Sequence, residues 1–175
     1  MKDKTVRFLL IALLLLLPLS VYAADYHPFP PPLYEQSEEL PGWLLVTEPQ
    51  IIGDAQFVAD VRQVLDYLQA SCPVSYMFVV DNIRTIQKSN RSFMVLPGRE
   101  VHLVIHNTPY AAATLVHEAT HAWLYRHKYE FKDYNAEAFC NTTQAMFLER
   151  AGELDYIEYL LVDSLKTRWW ERHDF

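Results

Sequence analysis

Residues 117–121 read His-Glu-Ala-Thr-His, and two imidazoles four positions apart can act together on one target only if the backbone between them is helical. On a helix such residues differ by about 40° in direction, so both rings face one side and the glutamate stands one step round from them. A second face, with Leu115, Val116, Ala119, Ala122 and Trp123, is apolar enough to bury against a sheet. Thr108-Pro109 supplies a capping residue and a proline suited to the first helical position. A helix from Pro109 to about His127 is therefore expected.

Two imidazoles with a carboxylate beside them suit a divalent cation. An imidazole pair that leaves one coordination position open is the usual arrangement for catalytic zinc. Glu118 then stands where it can take a proton from water and later deliver it to a leaving group. One zinc ion needs a third protein ligand, and two residues are candidates. His127 lies ten positions after His117, a spacing similar to the metzincin pattern, but Leu124 stands where that family has a turning glycine. If the helix continues, His127 points about 240° away from His121. Glu137 is the better candidate. It falls 16 positions after His121, in the first turn of a following helix, where the helix dipole favours the ionised carboxylate a metal requires.

With Glu137 included, the chain resembles the gluzincin arrangement of thermolysin-type zinc peptidases. His121-Ala-Trp-Leu124 followed by Glu137 and Cys140 is similar to the peptidase segment of certain plant growth-regulating peptidases, and the likeness covers about residues 114–145. It implies a small zincin-like domain that hydrolyses peptides or proteins. His117, His121 and Glu137 would be zinc ligands, with Glu118 as general base and acid. It also implies a substrate lying extended along a sheet edge, which the run from Phe93 to Ile105 can provide. The spacing to the second helix is shorter than in thermolysin-type proteins and the exact motif there differs.

Less specific are the groups that would meet the developing charge on a carbonyl: Tyr125, Tyr129, Tyr134, His102 and His106 all qualify by chemistry. Asn141 and Gln144 share the face of Glu137 and can orient ligands from outside the donor set.

Lys2, Lys4 and Arg7 precede an apolar run from Phe8 to Leu17, and Val21-Tyr-Ala23 follows. This is the layout of a signal peptide over residues 1–23, and it implies a periplasmic or secreted protein. Ten apolar residues rise only about 15 Å, too short for a stable membrane span. Removing 23 of 175 residues leaves 152 and lowers the basic count from 15 to 12 and the acidic from 22 to 21. That balance disfavours nucleic acid and anionic membranes, which select cationic surfaces. Residues 24–41 are rich in proline and acidic groups and read as an arm. Residues 42–175 are long enough for one domain.

Within that domain Trp43–Thr47 is expected to form a short strand, and Asp54 to cap a helix with Phe57, Val58, Val61, Val64, Leu65 and Leu68 at helical spacing. Cys72-Pro73 ends it, and Val74–Val80 reads as a strand. Ser92–Leu96 and Val101–Ile105 flank Pro97-Gly98 as a hairpin. Helices are then expected from Ala136 to about Arg150 and from Glu153 to near Trp169. The expectation is an α+β fold: one N-terminal helix, about three mostly antiparallel strands, the His-Glu-His helix and two C-terminal helices. Cys72 and Cys140 can pair in an oxidising compartment or remain separate buried thiols. The near-minimal size keeps a second function in view, a noncatalytic secreted module that zinc only stabilises and that binds another protein.

Overall fold

The computed structural model describes the backbone of residues 47–129 and 134–167, with side chains at all of these except 134 and 161–167. The expected signal peptide and arm lie outside the described residues, as does most of the strand expected at 43–47. Every described element belongs to the compact unit Ser37–Phe175. No helix among the described residues is long and apolar enough to cross a membrane.

Strand β1 spans Gln50–Ile52 and is followed by helix α1, Ala55–Ser71. Asp54 caps α1, its Oδ1 accepting from the Phe57 amide at 2.9 Å. Gly53 precedes this cap because a Cβ there would lie 2.4 Å from the Phe57 ring. The helix buries Phe57, Val61, Val64, Leu65 and Leu68 on one stripe.

The run after Cys72 departs from expectation. It forms helix α2, Pro73–Asn82, not a strand. Valine, tyrosine and phenylalanine favour strands, but a short apolar run does not reveal its own period. Within it Ser75, Val79, Val80 and Asn82 are the buried positions, and Ser75, Val79 and Asn82 recur at the four- and three-residue steps that a helix turns to one side. Pro73 opens it at the position where a missing amide proton costs nothing.

Strands β2 (Thr85–Lys88), β3 (Phe93–Val95) and β4 (Glu100–Leu103) complete a four-stranded sheet in the order β1-β2-β4-β3. The hairpin of β3 and β4 pairs Phe93 with His102 and Val95 with Glu100. The other two pairings, β1 with β2 and β2 with β4, are parallel, so the sheet is mixed and not mostly antiparallel. A parallel return requires a long crossover, which α1 and α2 supply between β1 and β2. In the hairpin turn it is Arg99, not Gly98, that takes the left-handed conformation, with φ of 55°.

Helix α3 spans Thr108–Arg126, α4 Tyr134–Arg150 and α5 Leu154–Thr167. Thr108 is the first residue of α3, and the cap is Asn107, whose Oδ1 accepts from the Tyr110 amide at 2.9 Å. Asn107→Ala should therefore destabilise the protein by about 1 kcal/mol. Chemical denaturation would register this as a lowered midpoint with unchanged slope, and an unshifted midpoint would deny the cap any energetic role. Alanines 111, 112, 113, 119 and 122 are at most 1% exposed, which lets α1, α2, α4 and the sheet approach α3 closely. It is a helix buried on nearly every side, more so than its amphipathic pattern implies. The described residues thus form an α+β fold with five helices and four strands.

Candidate metal centre

The middle of α3 faces the first turns of α4, the helix against which it packs most extensively. His117 and His121 point their Nε2 atoms at each other across 3.2 Å. Glu137 reaches in from α4, with Oε2 at 3.4 Å from His117 Nε2 and Oε1 at 3.1 Å from His121 Nε2. The structure therefore brings together His117, His121 and Glu137, and places Glu118 beside them, buried at 6% exposure.

The electrostatics follow from that crowding. Burial pushes the Glu118 carboxyl above its ordinary range, and Glu137 adds to the rise while the positive charge of His117 and His121 opposes it. For Glu137 burial acts in the same sense, but hydrogen bonds and charge from the two histidines outweigh it and hold the carboxyl well below its usual range. Burial would lower the His121 pKa; Cys140 and Glu137 beside it raise it well above the ordinary value instead.

The donor set fits a metal ion. Two imidazole nitrogens at 3.2 Å oppose their lone pairs unless a proton or cation lies between them. A tetrahedral ion bonded at about 2.0–2.2 Å by nitrogen and oxygen holds its ligands about 3.3–3.5 Å apart. The separations of 3.1, 3.2 and 3.4 Å lie close to that range. His117 Nδ1 is buried and has no hydrogen-bond partner among the described residues, so the polar contacts of this ring are made at Nε2.

One donor was not singled out from the sequence. Cys140 lies one turn beyond Glu137 on the same face of α4 and is fully buried. The ligating atoms of His117, His121 and Cys140 all lie within 4.8 Å of one another, close enough to hold a metal ion. Burial pushes the Cys140 thiol up to about 11, with His121 opposing. Its spacing of three from Glu137 is the signal that could have marked it. Cys72 and Cys140 are both free thiols, so the possible disulfide is absent; Cys72 instead accepts from Ser75 Oγ at 3.1 Å.

The other candidates separate cleanly. His127 caps the C-terminus of α3, bonded through Nδ1 to the Trp123 carbonyl at 2.8 Å and stacked on the Trp123 ring. Tyr129 also stacks on Trp123. His102 contacts Glu100 at 2.9 Å and stacks on Phe93. The Tyr134 side chain lies outside the described residues. Tyr125 and His106 do border the site, in the two lobes of a cleft that share His117, Glu118 and Glu137 as their floor. One lobe, about 630 Å³, runs along the edge strand β3 past Phe93, Met94 and Leu96. The other, about 410 Å³, is lined by polar groups that include Arg91, Asn141 and Gln144. Comparison with protein-family models, with curated proteins and with solved structures gave no match for this chain.

Proposed function

We propose that this chain is a zinc-dependent peptidase of zincin-like fold, exported to the periplasm or beyond the cell, with His117, His121 and Glu137 as ligands of one zinc ion. The observation that carries the reading is the convergence of three donors within 3.4 Å of one another, with a buried carboxylate at their side, on the floor of an open cleft. An ion bound there supplies Lewis acidity to the scissile carbonyl and to water.

The remaining steps belong to the protein's own groups. Glu118 takes the proton of the attacking water and hands it to the leaving amine. Its raised pKa suits the sequence of roles, since burial makes the carboxylate a stronger base toward water and lets the carboxyl keep the proton until the leaving amine takes it. The edge strand β3 offers backbone groups to an extended peptide, and the lobe beside it is wide enough for side chains to enter. Of the donors considered for the developing oxyanion, Tyr125 and His106 are the two that line the cleft.

A second reading, a noncatalytic secreted module in which zinc only holds the fold, draws on the further donor at Cys140: four protein ligands make a closed, structural site. The two readings separate on metal removal. Chelated protein should lose all cleavage of a broad peptide library and regain it with one equivalent of zinc. Full zinc occupancy with no cleaved peptide would leave only the structural reading.

A further inference from the structure

We propose that Cys140 is a fourth protein ligand of the resting centre, its sulfur sharing one ion with His117, His121 and Glu137. The proposal rests on the metal reading of this site and adds to it the state of the centre when no substrate is present.

The placement of the sulfur argues for it. Glu137 and Cys140 are three residues apart on α4, so both project onto the same stretch of α3, over the histidine pair. The sulfur and one ring nitrogen of each histidine lie within 4.8 Å of one another. A tetrahedral ion with bonds of about 2.3 Å to sulfur and 2.0 Å to nitrogen sets that separation near 3.5 Å. The remaining difference is of the order that rotation of one cysteine side chain covers, with both helices left in place.

The surroundings argue the same way. Free cysteine in a core ordinarily behaves as a small hydrophobe among apolar neighbours. Cys140 is 0% exposed yet interacts with His121 by hydrogen bond and charge, and with the charges of Glu118 and Glu137. A fully buried thiol among two imidazoles and two carboxylates has the company of a ligand.

The step balances simply. The S–H bond breaks, its proton leaves to solvent, and the sulfur's electron pair forms the new bond to the ion, so each ion taken up releases one proton from Cys140. Four protein donors then complete the coordination at rest. Thiolate is also a soft ligand, which biases the centre toward zinc and cadmium and away from magnesium and manganese. Hydrolysis requires the sulfur to give up its position when a peptide enters, taking a proton back.

Cobalt(II) in place of zinc tests this on the full chain. The wild type should bind one cobalt per chain and show the near-ultraviolet charge-transfer absorption of a cobalt–thiolate bond. Cys72→Ser should keep that band, whereas Cys140→Ser should lose it and bind zinc at least 10-fold more weakly. One bound cobalt with no such band overturns the proposal and leaves the peptidase reading standing. The wild-type spectrum decides this even if Cys140→Ser fails to fold. Absence of any tightly bound cobalt or zinc overturns both. A band that persists under a saturating peptide hydroxamate would keep the ligand and sink the peptidase instead.

Discussion

Glu118→Gln is expected to lower kcat for peptide hydrolysis by roughly 10²–10⁴-fold while one zinc ion per chain stays bound. Glutamine matches the shape of glutamate, so the packing around this 6% exposed side chain is preserved and the neighbouring histidines are undisturbed. What is lost is the capacity to accept and return a proton. Glu118 is not in the donor set, so metal content measured by elemental analysis should be unchanged. The substitution also carries a stability signature in metal-free protein. Burial raises the Glu118 pKa, so the folded state binds its proton more tightly than the unfolded state, and the stability this gives is fully present in acid and lost as pH rises through the raised value. At neutral pH the variant, which has no charge to bury, should unfold at no lower temperature than wild type. Undiminished proteolysis by Glu118→Gln would remove this residue from the chemistry.

Glu137→Ala should weaken zinc binding by more than the roughly 10–100-fold typical of losing a group outside the donor set, and abolish cleavage with it. Glu137 touches both imidazoles, at 3.4 and 3.1 Å, so under the proposed function its removal takes away a ligand and also the negative charge beside the pair. Competition with a chromogenic chelator reads the affinity directly, and the zinc-dependent rise in unfolding temperature should shrink in parallel. Wild-type zinc affinity in this variant would show that the ion is held elsewhere. In metal-free protein the sign of the pH dependence is fixed by the depressed carboxyl. The stability it contributes is present above the ordinary carboxylate pKa of about 4 and is lost as pH falls through the lowered folded value. Glu137→Gln should flatten that acid limb.

Much of this molecule is legible residue by residue. Asp54 before a stripe of apolar residues, and Thr108-Pro109 before the His-Glu-His run, mark helix starts that the structure contains, because caps act over three residues, although the second cap is Asn107 and not Thr108. The hairpin around Pro97-Gly98 is likewise local. His117, His121 and Glu137 were legible from their spacing along two adjacent helices, and the structure brings them together.

Tertiary context decided the rest. The β-forming run at 74–80 became part of helix α2, whose Ser75, Val79 and Asn82 bury together at steps of four and three that winding brings to one side. Strand β2, only four residues long, was not foreseen; it gains its place from partners on both sides, β1 and β4, which are distant in the chain. Parallel pairing was equally invisible, since strand direction depends on how a crossover packs and not on composition. Cys140 shows the limit most plainly. Its spacing from Glu137 was readable, but whether a buried thiol faces a core or a metal centre depends on which helix packs against that face, and sequence distance along a chain does not encode it.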